Sequence, residues 1–156
     1  MSPTVATNTT VDLHGLLEFI RPRHRVILVT RRASGDPQLS PVTAGVDIAG
    51  RIVVSSYPER AKVVNLRRHH EASAMVLSDE WTGPWVQVDG TAVVIDQPDA
   101  VEPLVEYYRS ISGEHPDWDE YRAAMRQQGK VLIRLTPLNW GPVATGGFPA
   151  RLVDDD

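Results

Sequence analysis

Within Ser55-Ser56-Tyr57-Pro58-Glu59-Arg60-Ala61-Lys62-Val63-Val64-Asn65-Leu66-Arg67-Arg68, hydroxyls, cations and a helix start fall close together. The segment follows Ile52-Val53-Val54, so it reads as a β-branched strand that ends in hydroxyls and turns into a helix over 58–68. Pro58 suits a first helical turn, with Arg60 and Lys62 beside it. Ser55, unpaired helix N–H groups and two cations would then converge on one point, which is what a phosphate requires. Asn65 lies one turn further along. The same spacing also describes an ordinary surface helix with solvated cations, and spacing alone does not choose between the two.

Two other stretches can border a ligand. In Gln38-Leu39-Ser40-Pro41-Val42-Thr43-Ala44, a proline inside a strand marks an edge or bulge where a flat molecule can lie against the backbone. The alternative is a merely interrupted strand. In Glu80-Trp81-Thr82-Gly83-Pro84-Trp85, aromatic side chains near a turn suit stacking on a conjugated ring, or packing in a core or subunit interface.

Histidine offers less. His69 and His70 are adjacent, which is not metal-ligand spacing on a helix. The carboxylates around Glu114-His115-Pro116-Asp117 are better used as helix caps, so no metal is expected. The sequence contains no Gly-x-Gly-x-x-Gly, Walker loop, Gly-x-Ser-x-Gly or His-Glu-x-x-His, which removes the motifs of Rossmann binding, P-loop hydrolysis, serine hydrolases and zincins.

Bulk properties narrow the partners. The 156 residues carry a net charge of −4, which argues against nucleic acid or an anionic membrane as the main partner. Cysteine is absent, so thiolate catalysis and Cys-based metal sites are excluded. No apolar run approaches the ~20 residues of a spanning helix, and Met1 to Thr10 lacks a signal-peptide core. A cytoplasmic protein is expected.

The elements that must position these groups follow from periodicity. Leu13, Leu16, Leu17 and Ile20 share one face of a short helix that Arg21-Pro22 stops. Strands are expected at 25–31, 38–47 and 51–55, joined by turns too short for a crossover and therefore antiparallel. Further strands are expected at 72–78, 83–95 and 130–137. Between the last two come two helices, with capping pairs Asp99/Glu102 and Asp117/Glu120 and a stop at Gly129. Gly141 to Pro149 reads as irregular. About six mostly antiparallel strands and four helices suit a small closed barrel with peripheral helices. One domain over 11–148 is expected, with flexible tails at 1–10 and 149–156.

In order, these segments resemble the split β-barrel flavin and deazaflavin oxidoreductases, the pyridoxamine 5'-phosphate oxidase-like superfamily. The resemblance runs through Val26 to Thr30, Pro37 to Val42, Ile52 to Ser55, Arg60-Ala61-Lys62 with Asn65-Leu66-Arg67-Arg68, and Val88-Asp89-Gly90-Thr91-Ala92. The stretch Tyr108 to Arg122 is similar to the actinobacterial branch that uses coenzyme F420. The resemblance implies a mainly β (α+β) fold, a six-stranded antiparallel split β-barrel of the FMN-binding type with peripheral helices. It implies a homodimer with two sites at the subunit interface. Ser55, Arg60, Ala61, Lys62 and Asn65 would hold the cofactor phosphate and linker. Gln38, Ser40, Pro41, Val42, Thr43 and Val54 would border the ring, with Trp81 or Trp85 coming from the partner.

The implied cofactor is F420, or alternatively FMN, and the implied activity is hydride transfer to or from a conjugated small molecule. Hydride would be carried at C5 of a deazaflavin or N5 of a flavin, and no catalytic side chain is assigned. F420 bears a lactyl oligoglutamate tail and so suits a longer cationic trail, for which Arg60, Lys62, Arg67 and Arg68 are candidates. Two departures stand out. His69-His70 replaces the Asp-Pro that often follows Asn-Leu-Arg-Arg, and the Glu-Phe-Trp-Gln run of authentic pyridoxamine phosphate oxidases is absent.

Overall fold

Inward and outward positions alternate along the strands of this chain, and most inward ones are apolar. In Arg25–Arg31, Val26, Leu28 and Thr30 are buried while both end arginines are exposed. The computed structural model describes residues 4–153. In chain order the elements are β1 (Thr7–Thr9), α1 (Leu13–Ile20), β2 (Arg25–Arg31), β3 (Pro37–Val46), β4 (Ile52–Ser56) and α2 (Ala61–Arg68). Then follow β5 (Glu71–Leu77), β6 (Val86–Ile95), α3 (Val101–Ser112), α4 (Trp118–Gln128), β7 (Val131–Trp140), β8 (Val143–Thr145) and a 3-10 turn, Ala150–Leu152.

Six strands close into an antiparallel barrel in the order β2-β3-β4-β7-β6-β5. This is the expected split-barrel architecture, and closure leaves none of the six as a free edge. Its interior holds Val26, Leu28, Ile52, Val54, Val76, Val88, Ile133 and Leu135. Leu16 and Ile20 of α1 join this cluster from one mouth, where Leu17 lies against the β3–β4 turn at Gly50. Val63 and Leu66 of α2, both fully buried, join it from the other mouth, where Asn65 meets Thr30. A second cluster joins Val53 and Leu132 on the outer barrel wall to Ala100 and Leu104, with Tyr121 and Met125 of α4 packed on it. Thus α3 and α4 cover one side of the barrel. Helix α3 also lies over the end of β3, where Gly45 faces Ser110, and the end of β6 at Ile95 packs on the same cluster, whereas the outer face of β2, of β5 and of the first part of β3 carries no helix among the described residues.

Several boundaries differ from expectation for local reasons. Helix α2 begins at Ala61 rather than 58, because Arg60 is extended (φ −68, ψ 145) and Pro58 sits in the turn before it. The Asp99/Glu102 box does not form. Ala100 caps α3 without a side-chain bond, and Glu102 instead accepts from Arg122 of α4 at 2.8 Å. The Asp117 cap does form, accepting from the Glu120 N–H at 3.1 Å, and Gly129 closes α4 in the left-handed conformation.

The expected tails are also corrected in part. Thr7–Thr9 pairs with Val143–Thr145 as a small separate ribbon, and Ala150–Leu152 is a helical turn. Only residues 1–3 and 154–156 of those tails lie outside the described residues.

Between Asp89 and Gly90 the β6–β7 register shifts, and the backbones approach closely. A Cβ on Gly90 would lie 1.9 Å from the Thr136 carbonyl oxygen, whereas one on Gly141 meets nothing within 4 Å. Gly90→Ala is therefore expected to cost about 3 kcal/mol, a fall in melting temperature of about 6–12 °C. Gly141→Ala should leave the melting curve within about 2 °C. Equal curves for the two variants would refute this account of the bulge.

Candidate functional site

Three cations gather where β4 runs into α2. The β4–β7 register pairs Ser56 with Val131, which sets Lys130, the residue after Gly129, alongside Tyr57. The Lys130 ammonium lies 4.3 Å from the Tyr57 ring centroid, and the Arg60 guanidinium lies 5.9 Å from the same centroid. Tyr57 thus holds two cations through its π-faces. Lys62 is the third. Burial, then the charges of Arg60 and Lys130, hold its ammonium below the ordinary lysine value of 10.5. Burial and then Arg60 act on Lys130 in the same direction.

Among the described residues, no carboxylate forms an ion pair with Arg60, Lys62 or Lys130. Helix α2 starts at the same point with no side-chain cap and no acidic residue in its first turn. Its dipole and orphan N–H groups therefore add to the positive potential. Cations and helix N–H groups in this arrangement suit an anion such as phosphate.

The sequence-predicted residues fall into three groups. Arg60, Ala61 and Lys62 are together at this corner, and half-buried Ser55 precedes it on the outward face of β4. Ser56 turns inward instead and donates to the Tyr57 carbonyl at 3.2 Å. Gln38, Ser40 and Asn65 belong to a buried polar chain through Thr30. Arg68 Nη2 donates to Asn65 Oδ1 at 3.3 Å, Asn65 Nδ2 to Thr30 Oγ1 at 3.1 Å, and Thr30 Oγ1 to Gln38 Oε1 at 2.9 Å. Gln38 Nε2 continues to the Leu39 carbonyl and Ser40 Oγ, at 3.1 and 3.4 Å. Asn65, 6% exposed, is thereby spent on joining α2 to β2 and β3 rather than offered outward.

The third group borders two surface cavities, with Pro41 and Thr43 on the outer face of β3 and Val42 turned toward the core. Pro41, Val42, Thr43 and Trp81 line one cavity of about 450 Å³. Trp81 and Trp85 line a second of about 750 Å³ with Met75 and Leu77. Tyr107 of α3 donates to the Thr43 carbonyl at 2.8 Å, which ties the Tyr108–Arg122 region to this strand. That region is held by packing of Tyr108, His115, Trp118 and Tyr121, edge-on in three pairs and tilted between His115 and Tyr121.

Two expectations fail. Val54 is 2% exposed inside the barrel, and its backbone pairs with Ala44 and Ile133, so its side chain points into the core and not toward the corner's surface. Arg67 does not extend the cationic trail, because both its terminal nitrogens bind Asp96. That hydrogen bonding holds the Asp96 carboxyl below its usual range. Sequence reading missed Lys130 and Thr30. A lysine opening a strand carries no signal until the β4–β7 pairing is known. A threonine at the end of an alternating strand looks like ordinary β-propensity.

The family model described as pyridoxamine 5'-phosphate oxidase matches residues 14–144. Among solved structures, a conserved hypothetical protein from Mycobacterium tuberculosis superposes with a TM-score of 0.70 at 20% identity, covering 88% of this chain and 87% of its own. A structure described as an F420 reductase gives 0.59 at 18% identity, over 79% of this chain and 94% of that one. A heme storage protein from Vibrio cholerae gives 0.60 at 20% identity, over 89% and 95%. At these identities the three share the fold.

The lowered lysine values give the site a sign. A native pKa below the ordinary value means the folded state sheds protons first, so stability rises as pH climbs through the window from the lowered value to 10.5. Bound phosphate opposes this by favouring the charged lysines. Lys130→Gln is expected to keep or raise the melting temperature without anion and to weaken phosphate binding about tenfold or more. Thermal melts with titrated phosphate check this, and an undiminished phosphate response would remove Lys130 from the site.

Proposed function

Because the chain belongs to the pyridoxamine 5'-phosphate oxidase family, whose fold binds flavin-type cofactors, we propose that it is an oxidoreductase with a deazaflavin, F420, held by its phosphate at the α2 corner. The observation that carries this reading is the trio Arg60, Lys62 and Lys130, gathered without a carboxylate beside an uncapped helix start. These residues fit a phosphate diester or monoester. Support for F420 comes from the Tyr108–Arg122 stretch and from the likeness to a structure described as an F420 reductase. The compact trio equally suits the terminal phosphate of FMN, which is the second reading.

In this role Arg60, Lys62 and Lys130 bind the phosphate. Tyr57 keeps two of them in place, and Asn65 fixes α2 against the barrel through Thr30. The outer face of β3, with Pro41 and Thr43, supplies the flat wall that a conjugated ring requires and excludes water from one side, while Val42 between them packs toward the barrel interior. When bound, the cofactor supplies the hydride chemistry, so the chain needs no nucleophile of its own. The substrate is a conjugated small molecule.

The bare outer face also supports a homodimer. Leu39 is 59% exposed, Trp81 88% and Leu138 57%, and Ile27 and Pro41 pair across strands on the same face as Leu39. Exposed apolar groups of this extent are covered by a second copy of the chain, with the cofactor ring lying between the two.

Two measurements test the proposal. Fluorescence titration with F420 and FMN should give tighter F420 binding, and Arg60→Ala or Lys62→Ala should each weaken it by about tenfold to over a hundredfold. Tighter FMN binding would overturn the deazaflavin reading. Reduced cofactor should be oxidised when menadione is supplied, and binding without turnover would make the chain a carrier. Light scattering should show twice the 17.3 kDa chain mass, with Trp81→Glu shifting the balance to monomer. A wild-type monomer would remove the interface from the reading.

A further inference from the structure

Lys62 and Lys130 are the only lysines in the sequence, and both stand at the α2 corner. Lys62 is carried by the helix itself. Lys130 comes from the turn between α4 and β7, far along the chain, so its place depends on what fixes that turn. Its ammonium meets the Tyr57 ring, and among the described residues no carboxylate pairs with it.

Both backbone groups of Lys130 are engaged. Its N–H donates to the Met125 carbonyl at 3.2 Å, next to the left-handed Gly129 that closes α4. Its carbonyl accepts from Gln97 Nε2 at 3.0 Å, and the same nitrogen donates to the Met125 carbonyl at 3.2 Å. Strand register explains the meeting. Ile95 of β6 pairs with Leu132 of β7, so two residues further on Gln97 falls beside Lys130. Pro98 follows and has no N–H, so the ladder stops at Ile95 and a side-chain amide makes the next link.

That link carries a cost. Gln97 Oε1 is buried and has no hydrogen-bond partner among the described residues. Turning the amide over would set this oxygen against two carbonyl oxygens, so the two donated bonds fix its orientation. Methionine would fill the same space without stranding an amide oxygen. Glutamine is favoured here only for its grip on Met125 and Lys130. Its neighbour Asp96 holds the other wall of the corner, accepting from Arg67 of α2 at 2.9 Å. Two adjacent residues after β6 thus connect the helix bearing Lys62 to the turn bearing Lys130.

We infer that Gln97 is a positioning residue, which sets Lys130 against Tyr57 and so completes the anion site at the α2 corner. Its part in anion binding rests on the phosphate reading of that corner, and its placing of Lys130 does not.

The test compares the full chain with Gln97→Met, Lys130→Gln and the double variant. Two lysines give two sets of side-chain NMR signals, and Lys130→Gln identifies which belongs to Lys62. The Lys130 ε-methylene signal is expected upfield in the wild type, shielded by the Tyr57 ring. In Gln97→Met that shift is lost, while the Lys62 signal keeps its position. Inorganic phosphate is expected to bind Gln97→Met about tenfold more weakly than wild type. Adding Gln97→Met to Lys130→Gln changes phosphate affinity no further, because the amide acts through the lysine. A lowered melting temperature with the Lys130 signal and phosphate affinity of wild type would overturn the inference. Equal weakening in both backgrounds would do the same. Should Gln97→Met fail to fold, Gln97→Asn carries the same comparison, since its amide is one methylene too short to reach both carbonyls. A wild type without phosphate affinity would remove the anion reading of the corner instead, and the Lys130 signal would still decide what Gln97 positions.

Discussion

A closed barrel of six strands has two open mouths, and stopping the second of them with α2 is what the rest of this molecule depends on. Val63 and Leu66 are fully buried in the barrel core from that mouth. Burying each contributes about 1.5–3 kcal/mol. That anchorage fixes the axis of an eight-residue helix too short to be stable alone. It also fixes which way the uncapped N-terminus points. Repulsion among Arg60, Lys62 and Lys130 acts between part-exposed groups and costs about 1 kcal/mol or less per pair. The plug outweighs that repulsion, so the cluster can persist without a carboxylate.

A plug seated by apolar contact alone can still rotate about its own axis. The polar chain from Arg68 through Asn65 and Thr30 to Gln38 opposes that rotation, because its central members are buried and each bond is directional. Losing the Thr30 hydroxyl would strand a buried amide on one side and a glutamine oxygen on the other. The chain also explains why asparagine, a poor helix former, stands in the middle of α2. The same bonds register the helix against the β2–β3 hairpin. The cations at the start of α2 and the hairpin arginines are therefore held at a set separation.

Much of the fold was legible in the sequence because its signals are local. Alternation in Arg25–Arg31, the Asp117 cap and the Gly129 stop each involve residues within one element, and all appear where they were read. What was not legible is what depends on strand order. The pairing of β4 with β7 crosses from residue 56 to 131, and it alone brings Lys130 to Tyr57 and turns Val54 inward against Ile133. Arg67 was misread for a similar reason: its partner Asp96 follows β6 and is near only once the barrel closes. The pairing of Thr7–Thr9 with Val143–Thr145 joins two polar or glycine-rich ends with little pattern of their own.

The division of the molecule into a rigid anchor and a bare wall constrains where selectivity can reside. At the α2 corner every group recognises charge, and charge is common to any phosphorylated cofactor. Around the outer face of β3, β2 and β5, the large exposed apolar groups are Leu39 of β3, Trp81 of the β5–β6 loop and Leu138 of β7, with Ile27, Met75 and Leu77 part-buried beside them and the charged Arg25, Arg31 and Glu71 at the strand ends. The apolar and aromatic members suit a conjugated ring, which the corner does not. The corner and this face are also joined outside the apolar core, because the chain from Asn65 through Thr30 to Gln38 ends on the Leu39 carbonyl, so a change in how α2 sits reaches the exposed stretch of β3.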